Sequence, residues 1–242
     1  MSSQKTNIIA GIIVLLAVTS AAYYWFAIRE SDKAISTVER GLLIDYIVQQ
    51  FNLSGITTLS QNQLDQHLKL YAGYVKKRNE ILHNLQTINR TNSANRTYSP
   101  FRSLKLAETY AVNGSLLHEL YFENISKTKS SPGPLTTELI ETNFGSFEAF
   151  KQDFMDCGGC SRGWVVTSYS INDGCVYNYV LEEHNQHVPI LTIPLLVLDV
   201  YEHAYMIDFG IDRNPYLTVF WDLIDWNAVE QRIEKWVNPL RI

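Results

Sequence analysis

The chain has 242 residues, 46% of them hydrophobic and 19% charged, and a net charge of −5. Its composition is that of an ordinary globular protein, and its length suits one sizeable domain or two small ones sharing a core. The acidic balance lacks the basic footprint of a nucleic-acid-binding protein.

In chain order, the first feature is residues 7–28, NIIAGIIVLLAVTSAAYYWFAI, which carry no charged side chain. A bilayer span takes about 20 apolar residues, so the segment is long enough. Tyr23, Tyr24 and Trp25 sit near its far end, as interfacial aromatics do. The expectation is one transmembrane helix within residues 1–28, with the remainder on the exported side. A signal peptide cleaved near Ser20, Ala21 and Ala22, which would leave a secreted domain, is the alternative. Residues 29–58 read as a connector with one amphipathic stretch at 35–51. Residues 60–85 read as a long helix, with Leu64, Leu68, Tyr71, Val75, Leu82 and Leu85 at helical spacing. After a polar break at 90–100, residues 102–125 read as a second helix, with Ala107, Tyr110, Ala111, Gly114, Leu117 and Tyr121 on one face. SSPGP at 130–134 is a turn.

The period then changes. FGSFEAFKQDF is a short amphipathic helix. GWVVTSYSI and CVYNYVLEE have strand composition and are joined by the turn NDG, with ILTIPLLVLD as a third strand. EHAYMIDFG opens another helix that Gly210 ends. VFWDLIDWNAVEQRIEKW is a final helix or pair. The fold class expected is α+β: a helical hairpin domain at 59–130, then a C-terminal α/β metal-binding domain at 131–242 with a small antiparallel sheet.

The three cysteines, Cys157, Cys160 and Cys175, make no disulfide framework. CGGC has C-x-x-C spacing without a second pair to complete a zinc site. Its reading here is a flexible turn at Gly158–Gly159, with a thiol redox role as the competitor. His67 and His118 each lie on an apolar helix face, where a satisfied core histidine is the common outcome. Asp199, at the end of the most hydrophobic strand, needs a cation or several donors if buried. His203 follows it by four residues. Three imidazoles and a carboxylate converging on one point suit Mn, Fe or Zn.

DVYEHAYMIDFG resembles the signature of the iron/manganese superoxide dismutase family. NGSLLHELYFENI, FGSFEAFKQDF, the GW at 163–164 and RNPYLTVFWDLIDWNAVEQR are similar to further family segments in the right order, over about residues 55–237. The resemblance implies one Mn or Fe ion between a helical hairpin and an α+β domain. Its ligands would be His67, His118, Asp199 and His203, with solvent as the fifth. Superoxide is the implied substrate and a homodimer the implied assembly. Tyr74 matches the tyrosine at the substrate funnel, and Glu202 the glutamate that crosses a dimer interface. Leu70 and Tyr71 stand where the family has a histidine pair, and Tyr201 replaces the signature tryptophan. The outer-sphere donor is assigned to Gln186 in HNQH, which leans toward Mn, with His184 or His187 as alternatives. A catalytically altered, membrane-tethered structural or binding module is the alternative function.

Overall fold

The structure, a computed structural model, describes residues 44–90 and 94–240. The expected span at 7–28 lies outside these residues. Among the described residues no helix is long and apolar enough to cross a membrane.

Two helices form the first half: α1 (Gln61–Thr87) and α2 (Pro100–Glu123). Each begins on a serine whose hydroxyl takes up an orphan amide: Ser60 Oγ accepts from the Gln63 N–H and Ser99 Oγ from the Arg102 N–H, both at 3.1 Å. Pro100 occupies the first turn of α2, where no amide is needed. Leu64, His67, Tyr71 and Val75 recur every three or four residues and are buried. They belong to the face of α1 that packs along α2. At the far end Ile81, Leu85 and Ala111 close the hairpin with Phe101, Leu104 and Ala107. The amphipathic stretch at 35–51 is described only from residue 44, and residues 44–51 form no helix. Instead Phe51 packs its ring 5.8 Å from Tyr71 and 5.2 Å from Phe122.

The second half opens with a helix absent from the sequence expectation, α3 (Pro134–Phe144). Its punctuation was readable: a proline at the first position and Gly145 at φ +80° after the last. The Glu230 carboxylate completes its N-terminus, accepting from the Leu135 and Thr136 amides at 2.9 and 2.8 Å. Helix α4 (Phe147–Cys160) follows and runs through CGGC, which corrects the expected flexible turn. Gly158 is needed for packing: a Cβ there would lie 3.0 Å from a methyl of Leu217. All three cysteines are free thiols.

Three antiparallel strands form one sheet in the order β2-β1-β3: β1 (Trp164–Ser170), β2 (Val176–Leu181) and β3 (Thr192–Asp199). Central β1 is buried at all seven positions, and Trp164 pairs with both Leu181 and Asp199. Edge strand β3 tolerates Pro194. There the register slips: Thr167 faces Leu196 while Ser168 faces Pro194, so Leu195 bulges out.

After β3 the expected single helix is broken. A 3-10 turn (Glu202–Ala204) precedes α5 (Met206–Phe209), and α6 (Arg213–Leu223) follows. The final segment is a pair, α6 and α7 (Trp226–Arg232), divided where Asp225 caps α7 by accepting from the Asn227 N–H. Helix α7 continues into a π-helical turn (Ile233–Val237). Phe150, Phe154, Phe220 and Trp221 pack as an aromatic core behind the sheet. Each such burial contributes about 1.5–3 kcal/mol.

The fold places the C-x-x-C pair unfavourably for thiol chemistry. It ends a helix, where the dipole disfavours an anion. Burial, then the nearby Asp153, pushes the Cys157 thiol up to about 11. At pH 8, Cys157 is expected to alkylate about tenfold more slowly than an ordinary thiol, after allowing for the greater intrinsic nucleophilicity of a high-pKa thiolate. Its rate should climb with pH toward 11. Exposed Cys160 should label first. Mass-spectrometric timing of iodoacetamide adducts checks this, and Cys157 labelling first at pH 7 would refute it.

Candidate metal centre

The four residues singled out in the sequence come from four elements and meet. His67 projects from α1, His118 from α2, Asp199 ends β3, and His203 sits in the 3-10 turn. One ligand atom from each lies within 4.8 Å of all the others. His203 Nε2 is 3.0 Å, His67 Nε2 3.2 Å and His118 Nε2 3.6 Å from Asp199 Oδ2.

The layer behind them fixes their orientation. The Tyr201 amide donates to Asp199 Oδ1 at 2.9 Å, which leaves Oδ2 facing the imidazoles. Tyr216 Oη donates to the Asp199 carbonyl at 2.7 Å. Gln63 ties the His203 turn to α1: its Nε2 donates to the His203 carbonyl at 2.5 Å and its Oε1 accepts from the Ile207 amide at 3.1 Å. Gln63, Tyr216 and Trp164 were not identified from sequence as site residues. Their polar atoms act on backbone or side chains far away in the chain, which no spacing reveals.

His118 decides what the cluster is suited to hold. Its Nδ1 is 2.5 Å from the Gly114 carbonyl oxygen, which only accepts, so Nδ1 carries the proton. Nε2 then presents a bare lone pair, fully buried and without a hydrogen-bond partner, toward a carboxylate oxygen 3.6 Å away. Two lone pairs face each other unless a cation stands between them. Burial holds His118 well below the usual imidazole range and lowers His67 as well. Both are neutral ligands in the physiological range. For Asp199, burial works toward a higher pKa, but the His203 and His67 imidazoles outweigh it and hold the carboxyl below its ordinary range. At His203 burial works toward a lower pKa, but the Asp199 carboxylate outweighs it and raises the imidazole, so a bound cation would take the place of a proton there. Three imidazoles and one carboxylate fit a first-row divalent or trivalent ion.

Around this core stands an aromatic shell. Tyr74 lies with its ring 5.1 Å from His118 and 4.6 Å from His184. His67 and Tyr74 are seven residues apart on an uninterrupted α-helix, two turns, and so share one face. Gln186, assigned as the outer-sphere donor, is exposed, and so is His187. Their turn instead buries His184 completely, held to α2 by Asn113 Nδ2 donating to the His184 carbonyl at 2.9 Å. The correction has a physical reason: in a four-residue turn, only one side chain points inward while its neighbours face solvent. The lean toward Mn rested on Gln186 and loses that ground. Trp164 Nε1–H donates to His184 Nδ1 at 2.9 Å. Tyr71, in the place of a family histidine, is buried and donates instead to Glu119 at 2.7 Å. Glu202 is exposed beside His203.

Gly114 makes the shell possible. A Cβ there would sit 2.8 Å from Tyr74 Cδ1 and 3.2 Å from His184 Cδ2. Gly114→Ala is expected to displace both rings, at about 1–3 kcal/mol of stability, while the four converging side chains still bind metal. Thermal unfolding, metal content and turnover measured on one preparation check this. Unchanged turnover would show that Tyr74 and His184 do not bear on the chemistry.

Residues 132–232 match the family model described as iron/manganese superoxide dismutases, C-terminal domain. The chain is 36% identical over 188 residues to the "Superoxide dismutase [Fe]" of Aquifex pyrophilus, covering 76% of this chain and 87% of that protein. It is 30% identical over 187 residues to the "Superoxide dismutase [Fe]" of Saccharolobus solfataricus, covering 74% and 88% respectively. With the "Superoxide dismutase [Mn] 1" of Haloferax volcanii it shares 32% identity over 131 residues, 54% of this chain and 66% of that protein. Four converging ligand groups, the aromatic shell and matches of this extent lead to one conclusion: the chain belongs to the iron/manganese superoxide dismutase family.

Proposed function

We propose that the protein is a superoxide dismutase, converting two superoxide anions and two protons into dioxygen and hydrogen peroxide. The observation that carries this reading is the bare His118 Nε2, aimed at Asp199 Oδ2 among two further imidazoles. His67, His118, Asp199 and His203 would hold one Mn or Fe ion, which supplies one-electron cycling when bound.

The remaining work falls to the chain. Buried Trp164 and the rings of Tyr74, Tyr110 and Tyr201 narrow the site and exclude water. Trp164 holds His184 in one tautomer, with the proton on Nε2 pointing away from the indole. His184 stays neutral, since burial brings it down to about 4. It is therefore a fixed donor in the outer-sphere place, and the phenol of Tyr74 beside it is a second donor that burial keeps protonated. A groove of about 790 Å³ between α1 and α2 reaches Tyr74 and Tyr110, with Lys69 among its lining residues and Lys77 there paired with Glu80 at 2.6 Å. A cation such as Lys69 favours the approach of a small anion.

The purified full chain, assayed for Mn and Fe content and for superoxide dismutation together, tests the reading. Full occupancy by either metal with no dismutation would overturn it and favour a structural or binding module. The intact ligand set argues for the enzyme.

Two further parts of the reading rest on sequence. The resemblance gives Glu202, exposed next to His203, the role of reaching a second copy, which supports a homodimer as the working unit. Sedimentation as a monomer would refute that. Residues 7–28 anchor the protein in a membrane with the dismutase domain exported. Extraction by alkaline carbonate, or protection of the domain from external protease in spheroplasts, would contradict it.

A further inference from the structure

Among the described residues, three buried side-chain polar atoms without a hydrogen-bond partner lie close together. Around the metal centre they are His118 Nε2, His184 Nε2 and Tyr201 Oη. A bound cation accounts for His118, whose Nε2 is a lone pair. The other two are donors. Trp164 takes up the His184 Nδ1 lone pair at 2.9 Å, which leaves Nε2–H. Tyr201 presents a phenolic O–H. A buried donor left unmet costs about 1–3 kcal/mol, and a core seldom keeps two side by side.

The two rings are neighbours, 5.2 Å apart between centroids. Tyr201 is fixed by stacking on His203 at 5.2 Å and 16° and stands edge-on to Trp164 at 6.3 Å. Its phenol is thus held by a ligand imidazole on one side and faces His184 on the other. Tyr110 closes the arrangement with its ring 4.5 Å from His184 and 6.2 Å from Tyr74. A tryptophan at position 201 would fill this space with apolar ring. The phenol adds a second donor beside the His184 Nε2–H, with the Tyr110 hydroxyl near both Tyr201 and Tyr74.

We propose that Tyr201 is a further substrate-positioning residue: its hydroxyl, with the Nε2–H of His184, forms a two-donor subsite for a small anion next to the metal centre. The complement of two donors is an anion with two adjacent acceptor atoms, which describes superoxide and, as a probe, azide. Tyr201 touches the anion and takes no proton or electron from it. The subsite rests on the dismutase reading for its natural ligand and on the geometry alone for its anion preference.

The test compares metal-loaded wild type with Tyr201→Phe, which keeps the stack on His203 and removes only the hydroxyl. Azide is titrated by the change in ligand-field absorbance. The expected result is an azide Kd weaker by about five- to tenfold, the worth of one hydrogen bond to an anion. Metal content should be equal, and KM for superoxide should rise more than kcat falls. Thermal stability without azide should be unchanged or higher, because an unmet buried hydroxyl has been removed. A purely structural tyrosine would instead lower Tm and leave azide affinity alone. Azide affinity within twofold of wild type at equal metal content overturns the proposal. A wild type that binds azide by this pattern yet does not dismutate superoxide leaves the subsite standing while the catalytic reading falls.

Discussion

Asp199→Asn is expected to empty the metal centre and reduce dismutation to background. The substitution is nearly isosteric and can keep the hydrogen bond from the Tyr201 amide to Oδ1, so the chain should still fold. What changes is Oδ2, which faces three imidazole nitrogens at 3.0–3.6 Å. The carboxylate is the sole anion among the four converging groups, so the amide leaves a bound ion with neutral partners in a buried site. It also sets either a carbonyl dipole or an N–H₂ group where the negative charge stood. Loss of an outer-layer partner alone typically costs 10–100-fold in metal affinity, and loss of a charged ligand should exceed ~100-fold. Elemental analysis after purification, followed by a superoxide-consumption assay, reads both effects. Wild-type metal content and turnover in Asp199→Asn would dissociate the cluster from the chemistry. Retained metal with lost turnover would keep the site and assign Asp199 to the reaction step itself.

The ligand set was legible through the resemblance of DVYEHAYMIDFG and NGSLLHELYFENI to family segments; pattern alone put His67 and His118 on apolar helical faces and Asp199 at the end of an apolar strand, where a core histidine is the common outcome. The hairpin and the three strands were legible from pattern itself: a period of three to four residues is not easily confused with a run of β-branched and aromatic residues. The failures share a different origin. Helix α3 was overlooked because its apolar face is short, although Pro134 and Gly145 marked both ends. The composition of CGGC suggests a turn, whereas Gly158 is glycine to admit Leu217 against α4. Gln186 stands ahead of His184 in the sequence because the resemblance implies a glutamine in the outer-sphere role, and sequence does not say which residue of a tight turn points inward. EHAYMIDFG does not form one helix because the chain must bring His203 back onto Asp199. Gln63, reaching from α1, holds that irregular turn through backbone groups. At CGGC and at the His203 turn, long-range packing overrode local pattern.

The same long-range packing makes Arg232, far from the ligands in sequence, the residue whose loss should cost the most stability outside the site. It is buried, and its guanidinium joins the C-terminus of α2 to β3. Nη1 donates to Asn124 Oδ1 and to the Leu195 carbonyl at 2.7 Å; Nη2 donates to Glu123 at 2.7 Å and to the Leu120 carbonyl at 3.3 Å. Leu195 is the bulged residue of β3, without a residue opposite it on β1, and its carbonyl accepts from this arginine. Asn124 in turn donates to the Val197 carbonyl at 2.8 Å, two residues before Asp199. The α2 that carries His118 and the β3 that carries Asp199 are therefore registered by one cation. Arg232→Met keeps much of the volume and leaves the Asn124 and Leu195 oxygens buried without a donor. Each unmet acceptor costs about 1–3 kcal/mol. The half-exposed Glu123 adds little, since an ion pair at the surface is worth about 1 kcal/mol or less. A total near ~3 kcal/mol lowers Tm by about 6–12 °C for a domain of this size. Because the bulge also sets where β3 ends, metal affinity should fall with stability even though no ligand is touched. Calorimetry with and without added Mn or Fe checks both. A variant with unchanged Tm would show that the bulge is held by the sheet alone. Lowered Tm with undiminished metal affinity would show that Asp199 is positioned by the Tyr201 and Tyr216 bonds without help from the strand behind it.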